Sequence, residues 1–140
     1  MGGTQGIDCN SDSGAPGVKR TIRSEFITPP PEFDGCFTSF YLFDLNVDDG
    51  GRIEDYLQPE WGNLRFFAGK PPISTLGEYS ISDARFVATG PSSLPSAFKV
   101  GTARMWGIGL LPLGWARFME VDAADLANVC LLYTSDAADE

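Results

Sequence analysis

Short apolar runs broken by turn-forming residues occupy most of the chain and restrict it to a β-rich fold. Residues 37–45 are rich in aromatic side chains with β-branched support, which is typical of a strand. We predict strands at residues 37–45, 52–57, 63–68, 78–81, 84–88, 97–100 and 103–111. Strands at this spacing, with Gly, Pro, Asn, Asp or Ser between them, predict a β-sandwich or a barrel.

Two of the turn signals predict tight hairpins. Residues 48–51 (Asp-Asp-Gly-Gly) follow the first predicted strand, and Asp-Gly favours a two-residue turn because both central residues tolerate positive φ. Residues 101–102 (Gly-Thr) separate the last two predicted strands and begin with glycine, as another two-residue turn requires. We therefore expect 37–45 to pair with 52–57, and 97–100 to pair with 103–111.

The pattern changes from β to helical at Pro112. Proline suits the first helical position because its missing N–H would be unpaired there, so we predict a helix over residues 112–119. Asp122 can cap a second helix over residues 123–128 by accepting a hydrogen bond from a free N–H of the first turn. The predicted fold is therefore mainly β, with two short C-terminal helices.

Both ends of the chain are predicted to lie outside the folded domain. Residues 1–20 carry almost no apolar side chain beyond Ile7 and Val18, so we predict a disordered head. Residues 130–140 do not continue the preceding pattern and resemble the in-frame translation of a sequencing adapter, so we predict a foreign tail. Residues 21–129 then form a single predicted domain.

Histidine is absent from the 140 residues, and this absence removes several kinds of site from consideration. Ser-His-Asp and Cys-His catalysis and His-ligated zinc all need an imidazole. We therefore expect no catalytic residues, no metal and no cofactor, and we predict that the protein is not an enzyme. The formal net charge of −9 also argues against nucleic-acid binding by this segment, because phosphate contacts need clustered Lys and Arg.

The sequence gives no sign of membrane insertion or of export. The longest uncharged, mostly apolar run, residues 105–116, is shorter than the roughly 20 residues that a membrane-crossing helix needs. The N-terminal segment lacks the apolar core of a signal peptide. We therefore expect no membrane association and a cytoplasmic location.

The most informative polar residues are arginines inside predicted strands. Arg65 lies in residues 63–68 and faces the side opposite to Leu64 and Phe66. Arg104 precedes Met105 and Trp106 on the last predicted strand. Either arginine could point into a barrel and bind an anionic or polar ligand through two hydrogen bonds, or lie on the outer face beside an aromatic ring. Arg65, Arg104 and Trp106 are the candidate ligand-binding residues.

Three segments carry a resemblance to a known family: PPPEFDGCFTSF at residues 29–40, DYLQPEWGNLRF at 55–66 and WGIGLLPLGWAR at 106–117. In order and spacing they resemble the N-terminal domain of AraC-type transcriptional regulators, in particular the subgroup with a cupin-like sensor domain. The resemblance implies a cupin-like barrel or jelly roll that senses a small-molecule effector and forms a homodimer. Metal-binding cupins use mainly histidine ligands, so this barrel is expected to be metal-free.

The resemblance also implies DNA binding through a helix-turn-helix pair that would follow the sensor domain. Residues 1–140 contain no such pair, so we expect the regulator to contact DNA only through a missing C-terminal region, and no residue here to bind DNA. Two alternatives remain open. One is a stand-alone cupin-like protein that binds a small ligand or acts as a metal-free enzyme, and the other is a purely structural dimerisation module.

Overall fold

The chain folds into antiparallel strands in a computed structural model that describes residues 4–9 and 19–133. These residues contain eleven strands and one α-helix. The strands are β1 (Thr4–Cys9), β2 (Arg20–Ile27), β3 (Phe37–Val47), β4 (Ile53–Leu57), β5 (Gly62–Gly69), β6 (Ile73–Leu76), β7 (Tyr79–Ile81), β8 (Phe86–Thr89), β9 (Ser96–Val100), β10 (Ala103–Leu110) and β11 (Cys130–Tyr133). Helix α1 (Pro112–Phe118) lies between β10 and β11. The predicted mainly β class is confirmed.

The strands form two antiparallel sheets of unequal size. The large sheet has the order β1-β2-β3-β10-β5-β8-β11, and the small sheet has the order β4-β9-β6-β7. Among the described strands, the two edges of each sheet do not pair with each other, so neither sheet closes on itself. β6 is absent from the predicted strands, whereas β5 and β10 match their predictions to within a residue or two.

The two predicted hairpins are wrong, although both turns are where the sequence places them. β3 pairs with β2 and β10, and β4 pairs instead with β9 in the small sheet. β9 and β10 likewise lie in different sheets. Asp49 and Gly50 do adopt positive φ, at 61° and 65°. A local turn signal indicates where the chain turns, but it does not determine which sheet the next strand joins.

Two of the connections between the sheets, β3–β4 and β9–β10, lie side by side. The main-chain N–H of Val47, at the end of β3, donates to Thr102 Oγ1 at 2.9 Å. Thr102 Oγ1 also lies 3.2 Å from the Val47 carbonyl oxygen, to which the hydroxyl can donate. The Thr102 side chain therefore joins the β3–β4 connection to the β9–β10 connection at the edge of the large sheet where β3 ends and β10 begins.

The first predicted helix forms and the second does not. Helix α1 begins at Pro112, and its Trp115 is buried. Residues 123–128 form turns instead of a helix, with hydrogen bonds between residues three apart, for example from the Leu126 N–H to the Ala123 carbonyl at 3.2 Å. The main chain of this segment bonds elsewhere: the Asn128 N–H donates to the Pro91 carbonyl at 3.0 Å. These tertiary contacts override the local helical preference.

Both segments that were predicted to lie outside the domain contribute strands to the large sheet. β1 falls within residues 1–20 and pairs with β2, which itself begins at Arg20. β11 falls within residues 130–140 and pairs with β8. Edge pairing uses main-chain N–H and C=O groups and is largely independent of side chains, so the pairing of β11 is compatible with a foreign tail. In residues 4–9 and 19–133, no helix has the length and apolarity needed to cross a bilayer.

Candidate functional site

Strand register divides the large sheet into two faces and separates the candidate residues. Gly107 on β10 is opposite Tyr41 on β3 and Arg65 on β5, so these three positions share one face. Because side chains alternate along a strand, Arg104 and Trp106 lie on the other face. Strand geometry therefore places Arg65 on one side of the sheet and the other two candidates on the opposite side.

The face that carries Arg65 is turned towards the small sheet, and a cavity of about 360 Å³ lies between the two sheets. We call it the inner cavity. Its lining is largely apolar and includes Phe43, Phe67, Val87 and Met105 from the large sheet, and Leu57, Phe98 and Val100 from the small sheet. Several of these large side chains remain only half-buried although they face the other sheet. The interior is therefore hollow between the sheets.

A second, wider cavity of about 830 Å³ adjoins the first, and we call it the outer cavity. Its lining is more polar and includes Tyr41, Trp61, Asn63, Ser92, Ser93 and Asn128. Arg65 and Glu60 line both cavities. The candidate site is therefore centred on the Arg65–Glu60 pair, at the boundary between an apolar interior and a polar entrance.

Arg65 is the central polar group of this site. The residue is only 8% exposed. Its Nη2 forms an ion pair with Glu60, and its Nη1 lies 3.4 Å from Thr89 Oγ1. Its Nε is buried and has no hydrogen-bond partner among the described residues. A buried N–H without an acceptor is costly, so Arg65 retains one unsatisfied donor at the boundary of the two cavities.

A chain of hydrogen bonds lies beside the arginine. The Tyr41 hydroxyl donates to Asn63 Oδ1 at 2.7 Å, and Asn63 Nδ2 donates to the Trp61 carbonyl at 3.0 Å. Tyr41 is on β3 and Asn63 is on β5, so the ring crosses the intervening strand β10 at Gly107. A Cβ at Gly107 would lie 2.0 Å from the Tyr41 ring. Gly107 therefore permits the close approach of the Tyr41 ring to β10.

The ionisation states of the site follow from burial and from the neighbouring charges. Burial raises the pKa of Tyr41, so its phenol is neutral near pH 7. Burial of Arg65 disfavours its charged form. Electrostatic interactions and hydrogen bonds with Tyr41 and Glu60 outweigh the effect of burial and raise the pKa of Arg65, so the guanidinium is charged. Burial also raises the pKa of the Cys130 thiol, which lines the inner cavity.

Arg104 and Trp106 do not line either cavity. The Arg104 guanidinium binds both carboxylate oxygens of Asp44, with Nη2 at 2.9 Å from Oδ2. The guanidinium carbon also lies 6.0 Å from the centre of the Trp106 ring, which is the outer-face arrangement left open above. The structure therefore does not bring these two residues together with Arg65.

The structure adds four residues to the site: Tyr41, Glu60, Asn63 and Thr89. Glu60 lies in a turn before β5, and this position in the sequence gives no indication of its partner. Tyr41 lies in an aromatic run with apolar residues on both faces, so alternation alone could not show that it faces inward. The signal for Asn63 and Thr89 is a polar residue in a β strand, which is too common to single them out.

The described residues contain no group of three or more Cys, Asp or Glu side chains that could hold a metal ion. Comparison of the chain with protein-family models, with curated proteins and with solved structures gives no significant match. The candidate site is therefore defined by the geometry of the two cavities.

Proposed function

We propose that this chain is the effector-sensing domain of a cytoplasmic AraC-type transcriptional regulator and that it adopts a cupin-like jelly roll. It binds a small molecule between the two sheets and performs no catalysis. The observation that carries the proposal is the hollow interior bordered by a buried arginine with an unused N–H donor. Concave, mostly apolar cavities with a few convergent polar groups are the usual form of small-molecule sites.

The route from the ligand to the rest of the regulator begins in the outer cavity. Asn128 and Ala127 line this cavity and belong to the segment that follows helix α1. The Ser93 N–H donates to Asn128 Oδ1 at 2.8 Å, which attaches that segment to the cavity rim. A ligand that changes this contact would bias the direction in which the chain continues, and with it the DNA-binding part that the resemblance places downstream.

Ligand binding is tested by thermal-shift screening of the purified chain against a library of small metabolites. A molecule that binds only the native state raises the midpoint of unfolding. We expect at least one hit whose effect is lost in Arg65→Met and retained in Arg104→Gln, the matched control on the opposite face. A library without such a hit, or hits that are indifferent to Arg65→Met, would refute the proposed site.

A second candidate function, homodimerisation, is favoured by the outer face of the large sheet. This face presents Phe40, Leu42, Leu64, Phe66, Phe86, Trp106 and Ile108, as the register shows. Trp106 is 42% exposed and Phe66 is 40% exposed, and apolar patches of this kind commonly form protein interfaces. The occupant that we propose is a second copy of this chain, in an isologous contact.

The charges of the outer face support self-association. Two ion pairs, Arg23 with Glu25 and Arg104 with Asp44, make the edge of the patch neutral in a protein of net charge −9. Two copies can therefore meet there without the repulsion that the overall charge would cause elsewhere. Sedimentation velocity should show a dimer that Trp106→Ser converts to a monomer. Identical sedimentation of the two proteins would refute this interface.

A further inference from the structure

The charged groups around the candidate site cancel one another. In the part of the chain that the structure describes, two cations, Arg20 and Arg65, and two carboxylates, Asp55 and Glu60, line the inner cavity. Among the residues whose side chains the structure describes, one charged pair, Arg65 with Glu60, lines the outer cavity. Neither cavity therefore offers a ligand an excess of positive or of negative charge, although both contain a buried guanidinium.

This balance decides which kind of ligand head group the cavity can accept. A carboxylate ligand would add a buried negative charge beside Glu60 with no unpaired cation to neutralise it, and an isolated buried charge is strongly unfavourable. An ammonium ligand would add an unpaired cation beside Arg65. A neutral oxygen acceptor carries neither cost.

The hydrogen-bonding state of Arg65 agrees with the charge balance. Its two terminal nitrogens already donate to Glu60 and Thr89, whereas Nε has no partner within residues 4–9 and 19–133. The site thus offers one unused donor on a guanidinium whose charge is already paired. One carbonyl or ether oxygen is sufficient to satisfy that donor.

We propose that the natural ligand is a neutral, mainly apolar molecule that presents one carbonyl-type oxygen to Arg65 Nε, such as a ketone, a lactone or an ester. This inference rests on the proposed ligand-binding function. The apolar body occupies the inner cavity among side chains such as Phe43, Phe67 and Phe98. The volume of about 360 Å³ suits a small body, because it is near the lower end of the range for small-molecule sites.

The test compares three probes with the same apolar ring and different head groups: cyclooctanone, cyclooctanecarboxylate and cyclooctylammonium. Their binding to the whole chain is measured at pH 7.5 by saturation-transfer NMR titration. We expect cyclooctanone to bind about tenfold more tightly than either ion, a difference of about 1.4 kcal/mol. Arg65→Met should weaken ketone binding about tenfold, because the donor is lost.

The Glu60→Gln variant gives a second test, one that does not remove the arginine. Its amide oxygen can still accept a hydrogen bond from Arg65, but the negative charge is gone. This leaves the site with an excess cation, so the preference should reverse and cyclooctanecarboxylate should bind at least as tightly as the ketone. Arg104→Gln, on the outer face, should leave the preference for the ketone unchanged.

The possible outcomes separate this inference from the proposed function. A wild-type preference for the carboxylate or the ammonium overturns the neutral-ligand inference and leaves ligand binding in place. Absence of binding by all three probes also overturns the inference. The proposed function fails only if the thermal-shift library, too, contains no ligand that depends on Arg65.

Discussion

Substitution of Gly107 by alanine tests whether Tyr41 is held as the structure shows. A Cβ at Gly107 would lie 2.0 Å from Tyr41 Cζ, 2.1 Å from Cε2 and 2.3 Å from the hydroxyl oxygen. These atoms belong to a rigid ring, so the whole ring must move away from β10. The movement would break the 2.7 Å hydrogen bond from the Tyr41 hydroxyl to Asn63.

The magnitude follows from two costs. Overpacking a closely packed position costs about 1–3 kcal/mol, and leaving the Asn63 acceptor without its partner costs about 1–3 kcal/mol. Gly107→Ala should therefore lower the free energy of unfolding by about 3 kcal/mol. The measurement is urea unfolding followed by tryptophan fluorescence, with the slope against urea compared between variants.

A double-mutant cycle isolates the contact. In a Tyr41→Ala background the ring is absent, so Gly107→Ala should cost less than about 1 kcal/mol. Gly109→Ala is the matched control on the same strand and face, because its Cβ would meet the rotatable hydroxyl of the exposed residue Thr38 and not a ring. An equal cost for Gly107→Ala in both backgrounds would refute the placement of Tyr41 over β10.

Three further predictions concern the site and the sheet connections. Arg65→Met should lower the free energy of unfolding by about 2 kcal/mol, because Glu60 is left two-thirds buried without its cation; in urea unfolding, the added Glu60→Gln change should recover part of this loss. Burial raises the pKa of Tyr41, so the folded protein keeps a proton that the unfolded chain releases above pH 10. Stability should therefore fall with rising pH from about pH 10, and the decline should be shallower in Tyr41→Phe when chemical unfolding is repeated at several pH values. Thr102→Val should lower the midpoint of thermal unfolding by several degrees, because the Val47 main chain loses its side-chain partner; an unchanged midpoint would show that this link contributes nothing.

The strands were largely predictable because β structure leaves a local pattern in the sequence. Residues 62–69 and 103–110 alternate between two faces and are bounded by turn residues, so their positions and their strand type follow from neighbours in the chain. The sheet that each strand joins does not follow from its neighbours in the chain. β4 and β9 pair with each other across at least 38 intervening residues, the number between the paired residues Leu57 and Ser96, and no local signal encodes such a pairing.

The candidate site was predictable only in part, and the reason is the apolar character of both faces of the large sheet. Alternation correctly places Arg65 opposite to Leu64 and Phe66, but an ordinary two-layer protein would bury the apolar pair and expose the arginine. Here Arg65 faces the interior and Phe66 remains exposed. The deciding factor is Glu60, which compensates the buried charge and lies in a turn whose position in space depends on the whole fold.

The pairing of β11 with β8 has a practical consequence for anyone who shortens or extends this protein. The row of unpaired backbone N–H and C=O groups at a sheet edge pairs with almost any extended segment, whatever the side chains of that segment. Removal of residues 130–133 would leave that row open to the first strand it meets, including one from another molecule. The solubility of a trimmed version should therefore depend on whether a replacement strand, of almost any sequence, is fused at this edge.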